Sequence, residues 1–166
     1  MAVKSTNHDW LALHDEAALE PDLPICDPHH HLWDDRKGAI ASRYLIEEFL
    51  EDLSGGHKVL STVFIECGAM YKADGDEAMK VIGETEFVNG IAAMSASGLY
   101  GKTRVAAGII GTANLTLGAP VGDVLDAQIA AGGGRFRGIR HAGGWVTAYA
   151  HNEKLLVQRG QKVRQG

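Results

Sequence analysis

The chain has 166 residues and a formal net charge of −5, with 45% hydrophobic and 22% charged residues. This length suits one domain with a single core. The acidic balance argues against a nucleic-acid partner, and no apolar run approaches the roughly 20 residues that span a bilayer. We therefore expect neither nucleic acid nor a membrane as a partner.

The cysteines and the N-terminal segment indicate the compartment. Cys26 and Cys67 both lie in apolar runs, a pattern typical of buried free thiols in a reducing compartment. Residues 1–21 lack the continuous apolar stretch of a secretory signal. We expect a cytoplasmic protein.

The spacing of apolar residues predicts strands that alternate with helices. A lead-in over residues 1–23 contains a short predicted helix at 9–19. The main domain, residues 24–146, has strand candidates at 25–33, 59–67, 103–111 and 136–141, and predicted helices at 42–53, 77–97 and 122–131. Two helices separated near residues 83–85 are the alternative for 77–97. This alternation implies parallel strands joined by right-handed crossovers. The pattern fails over residues 147–166, which predicts an atypical tail, either a frayed helix or a disordered segment.

Three consecutive histidines follow an Asp-Pro pair at the end of the first strand candidate. In a strand, Asp27, His29 and His31 would share one face, with His30 on the other. Two imidazoles at this spacing can hold one metal ion, and neutral imidazole is a common zinc ligand. We predict His29 and His31 as metal ligands and catalytic residues; a surface histidine cluster is the alternative. For Asp27, a local turn and direct contact both remain open.

Polar residues also end two other strand candidates, where parallel α/β proteins place their sites. Glu66 is predicted to be catalytic; the alternative is a solvated carboxylate or one paired with an arginine. Arg140, His141 and Trp33 are predicted to bind substrate. The guanidinium fork of Arg140 suits a carboxylate, although a structural pair with Glu66 remains open.

Five segments carry a resemblance to a known family: DPHHHLW, VFIECGAMY, GETEFVNGIAAMS, RVAAGII and FRGIRH. Together they resemble the amidohydrolase-related family of TIM-barrel hydrolases, and its lactonase-like branch most closely, over about residues 10–145. The resemblance implies an α/β fold of the (β/α)8 barrel type, here a truncated half barrel of about four parallel strand–helix units. It implies hydrolysis of a small carboxylate-bearing lactone, ester or amide through metal-activated water.

The resemblance also implies the cofactor. His29 and His31 would bind a divalent metal, with zinc as the expected ion and a metal-free site as the alternative. Arg140 would contact the carboxylate of a small-molecule substrate. The family's further histidine and aspartate ligands have no counterpart here, which would leave the chain inactive if they are required.

Two alternative functions remain open at this stage. The first is a truncated, non-catalytic fragment that associates with a partner or with itself. The second is a non-oxidative decarboxylase of the same superfamily. A half barrel would also expose strand edges, from which we expect a homo-oligomer.

Overall fold

A computed structural model of the chain describes residues 13, 16–37, 41–140 and 146–148. The strands in this part of the chain are β1 (Ile25–His30), β2 (Val59–Ile65), β3 (Arg104–Thr112), β4 (Phe136–Arg140) and β5 (Val146–Ala148). The α-helices are α1 (Ile46–Asp52), α2 (Ile82–Ala96) and α3 (Val121–Ala131). Two short 3-10 helices occupy Glu77–Met79 and Leu115–Leu117.

The strands form one sheet in chain order, from β1 to β5. Strands β1 to β4 pair in parallel, and β5 pairs with β4 in the antiparallel direction. Each of α1, α2 and α3 lies between two consecutive parallel strands, as the crossover that parallel pairing requires. Within the described part of the chain, β1 and β5 are the edges of the sheet.

The prediction of half a (β/α)8 barrel is wrong. A barrel requires a tilted array of strands that closes on itself, so that each strand has hydrogen-bonded neighbours on both sides. Here the last strand, β5, runs in the opposite direction to β4: Gly138 faces Ala148 and Arg140 faces Val146 in an antiparallel ladder. The described residues form a small open sheet with three helices and no barrel.

The main core joins the sheet to α1 and α2. Its buried apolar side chains include Leu32, Ile46, Phe49, Phe64, Val88, Ile91, Val105 and Ile109. A smaller cluster contains Ile82, Ala113 and Val124. None of the helices in the described ranges combines the length and hydrophobicity that crossing a bilayer would require.

Helix α1 begins later than the sequence predicts. The backbone N–H and C=O groups of Trp33 both bond to Tyr44, at 2.8 Å each, and this antiparallel bridge keeps Tyr44 extended. The helix therefore starts only at Ile46. The Glu48 carboxylate accepts the N–H of Leu45 at 2.9 Å and so satisfies one of the free donors at the helix start.

Helix α2 begins at Ile82, after a separate 3-10 turn. Its second residue, Gly83, allows the loop that follows β2 to pack closely against the helix. A Cβ atom on Gly83 would lie 2.4 Å from the carbonyl oxygen of Met70 and 2.8 Å from the amide nitrogen of Lys72. The loop that leaves β2 therefore rests directly on the helix backbone, a contact that a side chain would block. This contact brings the next residue, Glu84, beneath the loop.

Two predicted segments fall largely outside the described residues. Of the helix predicted over 9–19, residues 16–19 are not helical, and the turn around Pro21 follows them directly. Residues 9–12, 14 and 15 lie outside the described ranges. The predicted tail is described only at residues 147–148, which belong to β5. The predicted division into lead-in, main domain and tail stays a prediction.

Candidate functional site

The two predicted metal ligands come together at the end of β1. Nε2 of His29 and Nε2 of His31 are 3.1 Å apart, and the rings meet edge to face with their centroids 4.8 Å apart. Two nitrogen ligands of a tetrahedral zinc ion, each about 2.0–2.1 Å from the metal, are separated by about 3.3 Å. The distance is that of a direct hydrogen bond between the two rings, and it is also close to the spacing of two ligands of one divalent ion.

A backbone carbonyl fixes the orientation of His31. Its Nδ1 lies 2.7 Å from the carbonyl oxygen of Ile65 on β2. Because a carbonyl oxygen only accepts, Nδ1 carries a proton, and in the neutral tautomer with this proton the lone pair is on Nε2. Histidines that bind metals characteristically donate their second N–H to a backbone carbonyl or carboxylate in this way.

A β-bulge in β1 includes His29. Asp27 pairs with Thr62 and His30 pairs with Phe64, so β1 uses three residues where β2 uses two. Bulges of this kind change the direction in which the neighbouring side chains point. Oδ1 of Asp27 accepts the backbone N–H of His29 at 3.1 Å, which closes the local turn. Of the two roles left open for Asp27, the structure shows the local turn.

His30 points into the core, as the alternation of the strand predicts. Its exposed fraction is 6%, its ring stacks on Phe49 with centroids 4.2 Å apart, and its Nε2 lies 2.9 Å from Oγ1 of Thr62. Burial is the main cause that lowers the pKa of His30 to about 4. The side chain is therefore neutral at pH 7, and it both packs in the core and makes a hydrogen bond there.

Two buried carboxylates lie where β2 meets the loop that follows it. Glu66 is 5% exposed, and its Oε1 accepts the hydroxyl of Tyr71 at 2.9 Å. Glu84, on α2, is 2% exposed, and its Oε1 accepts the N–H groups of Cys67 at 3.1 Å and Ala69 at 2.8 Å. Burial raises the pKa of Glu84 to about 7; the nearby Glu66 also raises this pKa, while the two backbone bonds lower it.

Glu84 is the residue that reasoning from the sequence missed. A glutamate in the first turn of a helix is ordinarily explained by the helix dipole and by exposure to solvent. The signal that could have identified it is the preceding glycine, Gly83, because a glycine inside a helix indicates close approach of another backbone.

The predicted substrate-binding residues are placed only in part. Trp33 stacks on Tyr44 with centroids 5.1 Å apart, and its Nε1 donates to the carbonyl of Ala41 at 2.9 Å. Arg140 is the last residue of β4; nothing is described of its side chain, and His141 lies outside the described residues. Substrate binding by Trp33, Arg140 and His141 stays a prediction.

The structure also corrects one expectation about the cysteines. Both are free, but Cys26 is exposed and Cys67 is only half-buried. Burial is the main cause that raises the pKa of Cys67 to about 11, and Glu84 raises it further. A thiol in this state is a poor metal ligand, because the thiolate is the form that binds.

Among the residues that the structure describes, no three His, Cys, Asp or Glu side chains are grouped so that they could hold one metal ion. Glu66 therefore does not join His29 and His31 as a third ligand. The pair would provide at most two ligand nitrogens, and a catalytic centre needs further ligands; metal binding by His29 and His31 stays a prediction.

Comparison with protein families matches the second part of the chain. The family model for peptidase family M23 matches residues 100–166, less than half of the chain. The matched range runs from just before β3 to the last residue and leaves out His29 and His31. Its two histidines, His141 and His151, lie outside the described residues. Neither the curated proteins nor the solved structures contain a match to this chain.

This match corrects the predicted family and reaction. The matching family is a peptidase family, not the amidohydrolase-related family, so the predicted lactonase-like membership and the predicted lactone, ester or amide hydrolysis are wrong. The decarboxylase and the associating fragment gain no support. The physical reason is that a histidine pair at a strand end indicates metal chemistry, which recurs on unrelated folds.

The coarser part of the prediction agrees with the match. A peptidase family implies a hydrolase, and the M23 peptidases are zinc metallopeptidases. A divalent metal such as zinc is therefore consistent with both the family match and the spacing of the histidine pair.

Proposed function

We propose that this protein is a divalent-metal-dependent hydrolase of peptide bonds, in which His29 and His31 provide two ligands of the ion. The observation that carries the proposal is the 3.1 Å separation of their Nε2 atoms. The family match over residues 100–166 supports the reaction class.

The chain's own residues favour a divalent ion at this place. The Ile65 carbonyl holds the His31 ring with its Nε2 toward His29, and His29 is exposed, so a substrate can reach the pair from solvent. A bound zinc ion would lower the pKa of a water molecule and polarise the substrate carbonyl.

Glu66 is our candidate for the carboxylate that accepts a proton from the attacking water. It directly follows Ile65, whose carbonyl orients His31. The Tyr71 hydroxyl donates to Oε1 of Glu66, which orients the carboxylate, as general-base catalysis requires of a base.

Metal content and peptide cleavage test the proposal together. Protein stripped with a chelator and reloaded with zinc is assayed on a library of fluorogenic peptides. We expect zinc uptake, cleavage that a chelator abolishes, and loss of both in His29→Ala and His31→Ala. The control His57→Ala changes an exposed histidine outside the site and should keep both. Cleavage that survives in the two site variants would contradict the proposal.

We further propose a cytoplasmic protein that associates with itself through its strand edges and has no nucleic-acid or membrane partner. Among the described residues β1 has a strand neighbour on one side only, which supports association through backbone pairing, although Pro28 within it lacks an N–H group and limits that pairing. Light scattering tests this proposal: a monomer at every concentration would contradict it.

A further inference from the structure

A single hydroxyl group links three strands beneath the histidine pair. Thr62, in β2, has an exposed fraction of 0%. Its Oγ1 lies 2.9 Å from Nε2 of His30 on β1. The same oxygen accepts the backbone N–H of Ala106 on β3, also at 2.9 Å.

Both neighbours of β2 are irregular beside this hydroxyl. β1 has its bulge just before His30, and β3 advances from residue 104 to residue 108 while β2 advances only from 61 to 63. Ala106 lies inside this second irregularity, with a φ of 50°. Extra residues of this kind leave backbone groups without a partner in the ladder. The Thr62 hydroxyl supplies the acceptor that the N–H of Ala106 would otherwise lack.

His30 connects the Thr62 hydroxyl to the metal-ligand pair. Its ring is held between Phe49, stacked at 4.2 Å, and Phe64, edge-on at 5.8 Å between centroids. The burial alternates along these three residues: His30 is buried, whereas His29 is exposed and His31 is half-buried. A His30 that is fixed toward the core therefore keeps His29 and His31 turned the other way.

We propose that Thr62 is a positioning residue for the metal site: through His30, its hydroxyl holds β1 beyond the bulge so that the Nε2 atoms of His29 and His31 converge. This inference rests on the histidine pair of the proposed function. Groups bonded directly to metal ligands typically affect metal affinity by about 10- to 100-fold, and Thr62, which acts through His30, should fall at the lower end of this range. A Thr62 with a structural role alone would change stability and leave the geometry of the pair unchanged.

Two substitutions separate these roles. Thr62→Val keeps the size of the side chain and removes the hydroxyl, while Thr62→Ser keeps the hydroxyl and removes a methyl group. Zinc affinity is measured by competition with a chromophoric chelator, and the melting temperature is measured without metal. We expect the valine variant to bind zinc about 10-fold more weakly, and the serine variant to stay within about threefold of wild type.

A metal-free measurement accompanies the titration. Imidazole ¹⁵N chemical shifts of His29 and His31 in the chelator-treated protein should move in Thr62→Val and stay near wild type in Thr62→Ser. If neither variant moves these shifts or the zinc affinity, the proposal is overturned. An equal loss in both variants would overturn it too, because the effect would not follow the hydroxyl.

The outcomes also distinguish this inference from the proposed function. A protein whose histidine shifts follow the hydroxyl, but which cleaves no peptide, contradicts the proposed reaction and supports the positioning role.

If Thr62→Val does not fold, the pair His30→Leu and His30→Gln replaces it. Glutamine can still bond to the Thr62 hydroxyl and leucine cannot, so only leucine should disturb the pair; equal effects of both would count against the proposal.

Discussion

Glu84, on α2, accepts the backbone N–H of Ala69 at 2.8 Å, in the loop that leaves β2. The same oxygen accepts the N–H of Cys67 at 3.1 Å. One buried carboxylate thus ties a helix to the loop directly beyond Ile65 and Glu66. His31 also bonds to Ile65 at this C-terminal end of β2. The position of the strand end therefore depends in part on the contact made by Glu84.

The first prediction concerns the pH dependence of stability. Burial raises the pKa of Glu84 from 4.5 to about 7, so between these values the folded protein holds a proton that the unfolded chain has released. The contribution of this group to the free energy of unfolding is fully present below pH 4.5 and is lost as the pH rises through 7. Glu84→Gln keeps an acceptor oxygen and removes the charge, so it should raise the free energy of unfolding at pH 8 by up to about 3 kcal/mol.

Urea denaturation at pH 5, 6, 7 and 8 measures this effect. The control is Glu86→Gln on the same helix, because Glu86 is half-exposed and pairs with Lys72 at the surface. We expect the control to follow the wild-type curve closely. A Glu84→Gln protein with the same pH slope as wild type would show that Glu84 is ionised in the fold at pH 5.

The second prediction concerns Gly83, where a Cβ atom would meet the Met70 carbonyl oxygen at 2.4 Å. We expect Gly83→Ala to lower the free energy of unfolding by about 1–3 kcal/mol, because the loop must move away from the helix. Gly90 is the matched control: it lies on the same helix, and a Cβ atom there would meet nothing within 4 Å. Gly90→Ala should raise the free energy of unfolding by about 0.5–1 kcal/mol. Equal effects of the two substitutions would contradict the close contact.

Local patterns in the sequence predict the elements of this protein well, since they depend on neighbouring residues alone. The apolar run at 59–67 corresponds to β2 (Val59–Ile65), and the run at 103–111 to β3 (Arg104–Thr112). The start of α1 was predicted too early because the bridge between Trp33 and Tyr44 joins residues that no local pattern connects.

The features that decide the architecture and the site are less local. The antiparallel direction of β5 depends on its pairing with β4, and no periodicity within the strand encodes it. Strand alternation predicted that His29 and His31 share a face, and their Nε2 atoms do converge. The same rule included Asp27, which the bulge before His30 assigns to a local turn instead. The resemblance, based on short segments, did not predict the family that matches.

The third prediction concerns the effect of metal on stability. A ligand that binds only the folded state stabilises it, by about 2.7 kcal/mol when its free concentration is 100 times the dissociation constant. Zinc should therefore raise the melting temperature of the wild-type protein, and a chelator should reverse the change. His31→Ala should remove this response, whereas His57→Ala, at an exposed position, should keep it. A zinc response that persists in His31→Ala would place the ion elsewhere.

The fourth prediction separates the two cysteines by their reactivity. Cys26 is exposed on the edge strand. The Cys67 thiol is half-buried, burial raises its pKa to about 11, and its Sγ lies 3.4 Å from the Leu32 carbonyl oxygen. At pH 8 a thiol-specific reagent should therefore modify Cys26 first, since the thiolate is the reactive form. Mass spectrometry of Cys26→Ser should show little modification in the native state and one modified thiol in denaturant. Rapid modification of Cys67 in the native state of that variant would mean that the loop following β2 opens. The contact of Glu84 with Cys67 and Ala69 would then not hold this loop closed.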